Sequence, residues 1–303
     1  MPHHLTVDRN KRQLMIAALR YYDTFVKQDD AWLFAERLLY VDWIEERILF
    51  MTANSDASSI ANIATADQKC LVIVGASGMV GGYALRYALN SSAVTSVTSI
   101  GRKKVGISHP KLKEVVHQTF ADCSALTDVL SGQDAAVYCL GAYTGSVSDA
   151  ELHAITSAYT IEFARVLRKS SPNAAFSFLS GNGADQTGRS RIAFARYKGE
   201  AEKALIAAGF PRIFFFRPAY IYPVQPRKEP NFTYRLLRAA YPVFRVLLPN
   251  QVIRADDLAW AMLNVVVGHT GKGQDLVIED LILENRDIRA LVESRVVTDR
   301  VNK

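Results

Sequence analysis

Residues 71–81 read Leu-Val-Ile-Val-Gly-Ala-Ser-Gly-Met-Val-Gly, a short apolar run that stops at Gly75 and passes into helical spacing from Met79. The run has the character of a buried strand. Gly75 permits a tight turn, Gly78 lets the backbone approach a pyrophosphate, and Gly81 lets the following helix lie close against the sheet. A helix that starts there presents free amides and a positive dipole end to phosphates. A glycine turn that binds nothing is the competing reading. The expected strand, turn and helix are all present in order, which favours nucleotide binding. Gly75, Ser77, Gly78, Met79, Val80 and Gly81 are therefore the expected phosphate-binding residues.

Outward from this stretch the pattern repeats. Helical spacing continues to residue 89, and residues 94–100 read as a second strand. Residues 115–120 are the candidate third strand and residues 135–140 the fourth. Residues 153–169 have helical spacing, 174–179 are strand-like, 198–208 form an Ala/Glu/Lys-rich helix, and 213–216 form a buried strand stopped by Pro218. Residues 256–267 are an amphipathic helix. Continuous apolar strands that alternate with helices predict an α/β fold, a doubly wound parallel sheet covered on both faces.

The chain has 303 residues, 49% hydrophobic and 22% charged, which excludes a disordered or fibrous polymer. No run of about 18 uncharged apolar residues is present, so no membrane-spanning helix is expected. The start, MPHHLTVDRN, has no apolar core ahead of its charges, and no cleaved secretory signal is expected. Cys70, Cys123 and Cys139 are an odd set without metal-ligand spacing, read as reduced, buried thiols of a cytoplasmic protein. His3, His4, His109, His117, His153 and His269 are scattered, so no metal site is expected.

The small, polar, nearly uncharged stretch at residues 51–68 reads as a linker between an N-terminal appendage and a main domain at 69–303. Residues 31–50 contain good helix formers with near-helical apolar spacing. Residues 20–27 and 32–43 also read as two strands around Gln28-Asp29-Asp30-Ala31, and periodicity alone does not decide. RYYDTFVKQDDAWLFAERLLYVDW (20–43) resembles the last hairpin of a SnoaL-like α+β domain, which implies a β-hairpin fragment over 1–50. The pocket-forming parts of such a domain are missing, so the resemblance implies no activity.

Past the second strand, residues 94–104 contain no acid that could accept from a ribose hydroxyl, whereas Arg102 and Lys103 suit a 2′-phosphate. NADP(H) is thus expected over NAD(H), with solvated surface cations as the alternative. Asp122 faces the adenine or caps a helix that begins near Ser124; both readings stand. Residues 223–254 hold six basic side chains against Glu229 alone. No nucleic-acid motif accompanies them, so no nucleic-acid partner is expected. Within this region, residues 231–248 are helical apart from Pro242. Arg235, Arg238 and Arg245 suit an anionic group or a membrane surface, but a core helix with a solvated basic face is favoured.

GASGMVGG (75–82), SIGRK (99–103), YCLGAYTG (138–145), FLSGNGAD (178–185), FARYKGEAEKAL (194–205) and FFFRPAYIYP (214–223) occur in the order seen in atypical short-chain dehydrogenases/reductases. The similarity covers residues 69–290, includes LENRDI (283–288), and is nearest the epimerase-like branch related to Tat-interacting-protein-type oxidoreductases. It implies a Rossmann sheet with a dinucleotide at the carboxyl ends of its strands and an unidentified small-molecule substrate under a C-terminal covering segment. Leu140, Gly141, Ala142 and Pro218 then pass near the cofactor.

The resemblance also implies a catalytic serine after the fifth strand and a Tyr-x-x-x-Lys pair on the next helix. Ser180 and Lys198 match, but the tyrosine position is Phe194, which can neither give nor take a proton. Tyr197 is adjacent, yet one residue turns about 100° around a helix and points it off that face. Tyr143, Tyr220 and Tyr222 are substitute acids or, more simply, packing residues. Two functional readings follow: an NADP(H)-dependent oxidoreductase or epimerase-like enzyme, and a catalytically silent NADP(H)-binding redox sensor or scaffold.

Overall fold

The computed structural model describes residues 3–8, 11–28, 31–49, 68–143, 145–225, 241, 244, 247–267 and 282–301. The chain divides into two compact units, Met1–Ala66 and Asp67–Lys303.

In the first unit, β1 (His3–Asp8), β2 (Lys11–Gln28) and β3 (Ala31–Leu49) form an antiparallel sheet in that order. The β2–β3 ladder runs from Gln28↔Ala31 to Arg12↔Leu49, with register shifts at Ala18/Leu19 and Thr24/Phe25. The hairpin forms where the sequence placed it, and it extends further at both ends. Residues 31–49 are strand rather than helix. Their Trp, Tyr, Phe, Val and Ile content suits a pleated surface, and pairing with β2 overrides local helix propensity. Residues 51–67 of the expected linker lie outside the described residues.

The second unit begins with β4 (Lys69–Val74), the glycine turn and α1 (Met79–Asn90). β5 (Val94–Gly101), β6 (Leu112–Val116) and β7 (Ala135–Tyr138) follow. α2 (Asp149–His153) continues through a π-helical turn (Ala154–Ala158) into α3 (Tyr159–Ser170). β8 (Ala175–Leu179), α4 (Ala193–Ala207) and β9 (Arg212–Arg217) come next. The chain closes with β10 (Tyr220–Tyr222), β11 (Val252–Arg254), α5 (Ala255–Val267), β12 (Ile282–Glu284) and α6 (Asn285–Val301).

Seven strands form one sheet in the order β12-β9-β8-β7-β4-β5-β6, and every pairing in it is parallel. Strand order reverses between β4 and β7, and ligands of such sheets bind outside the carboxyl ends at that reversal. β4 shows why its residues are apolar without interruption. Leu71 and Ile73 enter one core with α1, α5 and α6, while Val72 and Val74 enter the other with α3 and α4. Each core then holds one covering layer of helices. β10 and β11 form a separate parallel pair, tied to α6 by buried Asn285, whose Nδ2 donates to the Val252 carbonyl at 3.0 Å.

Several boundaries differ from expectation, among them the helix expected from 153, which begins at Asp149. The third strand is 112–116 rather than 115–120. It is the sheet edge, where adjacent Lys113 and Glu114 interrupt the apolar residues of Leu-Lys-Glu-Val-Val, whereas Phe120 leaves the ladder to pack in the core. α4 begins at Ala193, five residues before the expected start, so Phe194 is helical. The fourth strand stops at Tyr138, which frees 139–142 as a loop. Most of 231–248, including Arg235, Arg238 and Arg245, lies outside the described residues. The three thiols are unpaired; Cys123 is buried, but Cys70 and Cys139 are only half-buried.

Candidate functional site

The glycine turn sits at the strand-order reversal. Gly75 has φ +85°, and a Cβ there would lie 2.9 Å from the Cys139 carbonyl carbon at the end of β7. A Cβ on Gly81 would strike the Gly75 carbonyl oxygen and lie 2.7 Å from its carbon, so α1 packs directly on the turn. Gly78 is the N-cap of α1, its N–H donating to the Gly75 carbonyl at 2.8 Å. No side chain caps this end and no acid occupies the first turn. The amides and the dipole are thereby left to an anion. The absence of room for any Cβ at two glycines, together with an uncapped helix start, fits a dinucleotide pyrophosphate.

The loop after β8 and the face of α4 supply the side chains. Lys198 is 3% exposed, and its Nζ donates to the Leu179 carbonyl at 2.6 Å. It also lies 4.5 Å from the centroid of Phe178 and 5.8 Å from that of Phe194. Burial lowers its pKa to about 8, against the opposing pull of Glu202 and of the Cys139 thiol if ionised. Phe194 stands one turn before Lys198 on the same face, and its ring would contact a Cβ on Gly181 at 2.9 Å. Gly199 brings the loop down on α4, because a Cβ there would strike the Asp185 backbone carbonyl.

Behind Ser180 lies a group that the sequence reading did not single out. Ser180 Oγ donates to Glu202 Oε1 at 2.6 Å, and Glu202 is fully buried. Arg217 at the end of β9 donates through Nε to Oε1 at 2.9 Å and through Nη2 to Oε2 at 2.5 Å. Gln186 Nε2 donates to Oε2 at 2.7 Å. The carboxylate bond holds the Arg217 guanidinium above its ordinary range. Glu202 follows Lys198 by four residues, so helical spacing alone placed it on the same face.

These elements meet in one cavity of about 900 Å³. The turn contributes Gly78, Met79 and Val80; the loop after β7 contributes Leu140, Gly141 and Ala142; the loop after β8 and α4 contribute Ser180, Phe194 and Lys198. Pro218 lines it as well, as do Cys139, Tyr143 and Tyr220. Burial pushes the Cys139 thiol up to about 12, so it stays protonated at neutral pH. Asn182, Phe244, Leu248 and Gln251 are further lining residues that the sequence reading missed.

Gly75, Ser77 and Gly81 shape the turn without lining the cavity, and Arg102, Lys103 and Asp122 also lie outside its lining. Arg102 and Lys103 are exposed just past β5, and Asp122 Oδ1 accepts from Ser124 N–H at 2.8 Å, the capping geometry. That hydrogen bond lowers the Asp122 pKa. Tyr197 does not line the cavity: its hydroxyl donates to Asp149 Oδ2 at 2.7 Å. Tyr222 stacks on Tyr241 at 3.7 Å between centroids and does not line the cavity. Among the described residues no cluster of metal ligands occurs, and no helix is long and apolar enough to cross a membrane.

The fold matches that of known proteins. In the solved structure of the Bordetella bronchiseptica enzyme WbmH in complex with NAD+, 82% of the chain superposes on 76% of this one, with a TM-score of 0.51 and 17% identity. The second unit thus has a Rossmann-like α/β fold. Among curated relatives, the mitochondrial protein fmp52 of Aspergillus clavatus is 31% identical over 159 residues, half of this chain. The match spans 66% of the fungal protein, less than two thirds of its length. Protein HTATIP2 of Rattus norvegicus is 25% identical over 224 residues, covering 68% of this chain and 91% of the relative. No protein-family model matches the chain. The second unit is therefore similar in fold to an NAD+-bound enzyme and in sequence to fmp52 and HTATIP2.

Proposed function

We propose that the Rossmann unit binds NADP(H) and acts as an epimerase-like oxidoreductase of the atypical short-chain dehydrogenase class. One observation carries this reading: the glycine turn at the strand-order reversal and the Ser180–Lys198 wall line a single cavity. The turn would hold the pyrophosphate, Lys198 the ribose hydroxyls, and the loop at Leu140–Ala142 the middle of the cofactor. When bound, the cofactor supplies or accepts a hydride. Lys198 orients it, and the apolar rings of Phe178 and Phe194 keep water from that wall.

The exposed pair Arg102 and Lys103, past an acid-free strand end, supports NADPH over NADH. A charge-assisted contact with the 2′-phosphate contributes about 1.5–3 kcal/mol, roughly tenfold or more in affinity. Fluorescence titration of the full chain with both reduced cofactors tests this. Tighter NADPH binding that Arg102→Glu reverses or erases is expected; equal affinity in the native protein would refute it. Phe194 favours a second reading, a cofactor-binding sensor or scaffold without turnover, because the superfamily's proton donor is missing from its position. An aldehyde and quinone screen with NADPH separates the two.

A further inference from the structure

We infer that Glu202 fixes Ser180 as a hydrogen-bond acceptor, so that this wall of the cavity selects a ligand by a hydroxyl that the ligand donates: an alcohol or polyol rather than the matching ketone or aldehyde. The inference rests on the reading of this cavity as a small-molecule site.

A serine hydroxyl has one donor and two lone pairs. In Ser180 the donor is committed at 2.6 Å to Glu202 Oε1. The roles cannot be exchanged, because Glu202 has no proton to give. Arg217 reaches both of its oxygens, Gln186 donates to the second, and all of its partners are donors. Protonating this fully buried carboxylate would cost the Arg217 guanidinium the nearer of its two counter-charges, leaving only Glu284 at 3.3 Å. Ser180 lines the cavity, and with its hydrogen committed to Glu202 its hydroxyl has only lone pairs left for a ligand.

Its neighbours on this wall complete the preference. Lys198 spends one N–H on the Leu179 carbonyl and keeps others, and Phe194 offers no donor where a tyrosine would have offered one. A ligand hydroxyl satisfies both polar neighbours, accepting from Lys198 and donating to Ser180. A carbonyl oxygen can accept from Lys198 but then faces the Ser180 lone pairs with its own. Glu202 is thus a positioning residue, acting on the ligand only through Ser180.

The test titrates the full chain, without added cofactor, with cyclohexanol and cyclohexanone and with 1-phenylethanol and acetophenone, by ligand-observed NMR. NADPH affinity is measured separately on each variant. In the native protein each alcohol should bind roughly 3–10-fold more tightly than its ketone, the size of one net hydrogen bond. Ser180→Ala should abolish the ratio and Ser180→Thr should preserve it. Glu202→Gln, whose amide can donate to Ser180 and so free the hydroxyl to turn outward, should move the ratio toward the ketone. A merely structural Glu202 would instead weaken both members of each pair equally. If Glu202→Gln does not fold, the Ala/Thr contrast at Ser180 still decides. Equal or ketone-favouring binding in the native protein overturns the inference, as does a ratio that survives Ser180→Ala or no binding of either class. Failure of the alcohol preference with intact NADPH binding rejects this inference alone. Loss of NADPH binding in the native protein rejects the cofactor reading instead.

Discussion

The glycine turn and the Ser180–Lys198 wall border the same cavity, but they are made of different materials. The turn works through backbone: Gly75 and Gly81 are required because no Cβ fits, and the helix amides are identical whatever side chains follow. The wall works through side chains, each replaceable without moving the chain. Phe194 keeps the helical backbone and the packing of a tyrosine while removing its hydroxyl. Features carried by backbone geometry persist because alteration breaks the fold; features carried by one functional group can change alone.

The sharpest way to break this contrast is to restore that group. Phe194→Tyr adds an acid one turn from Lys198, whose ammonium is set to lower the tyrosine pKa. Reduction of reactive aldehydes or quinones by NADPH should rise by about 10²–10⁴, the usual contribution of a positioned general acid. Strong native turnover that Phe194→Tyr leaves unchanged would mean that another cavity residue, Tyr143 or Tyr220, supplies the proton.

The opposite half is tested by placing a side chain in the turn. Gly81→Val puts Cβ into the Gly75 carbonyl and forces α1 off the sheet end. NADPH affinity should fall at least about 100-fold, near 3 kcal/mol. Native-like affinity by calorimetric titration would show that the turn is not where the cofactor lies.

The same division governs what could be read in advance. The central segments of β4, β7 and β9 announced themselves as uninterrupted apolar runs because both faces of the sheet are covered, and β5 and β8 as runs interrupted only by small Thr and Ser. The edge strand β6 was read three residues too late, since its register follows pairing with β5 and Lys113 and Glu114 interrupt its apolar residues. The turn, Ser180, Phe194 and Lys198 were legible from local spacing. Glu202 was overlooked although it lies four residues past Lys198, because its meaning comes from Ser180 and Arg217, which are distant in sequence. The small β10–β11 sheet joins segments thirty residues apart and left no local signature either.

A smaller effect should come from the charge on the wall. Lys198 titrates near 8 in the folded protein, below the ordinary 10.5. Between those values the unfolded chain binds more protons than the folded one, so this site's contribution to stability rises with pH across that window. Below about 8 both states are protonated, and the cost of burying the ammonium is fully present. Lys198→Met should therefore raise the melting midpoint at pH 7 by roughly 2–4 °C. The gain should shrink toward pH 10, and NADPH binding should weaken about tenfold. A gain independent of pH would mean that packing, not charge, separates the two proteins.

The least change is expected where neither backbone nor side chains of the cavity are touched. Residues 1–50 are proposed as an appended fragment, joined through 51–68 to a domain that begins at 69. Every ladder of the seven-stranded sheet pairs residues from Lys69 onward. Among the residues whose burial is described, both hydrophobic cores likewise consist of residues from Leu71 onward. A chain lacking residues 1–66 thus keeps the sheet, the turn and the wall, and its NADPH affinity should stay within about twofold of the native value, about 0.4 kcal/mol. Circular dichroism melting and a cofactor titration on the shortened chain check this together. Retained affinity confines the contrast between turn and wall to the Rossmann unit. Collapse of both signals would instead make the N-terminal sheet a third contributor to the cofactor site, and a contrast drawn within residues 67–303 would then be incomplete.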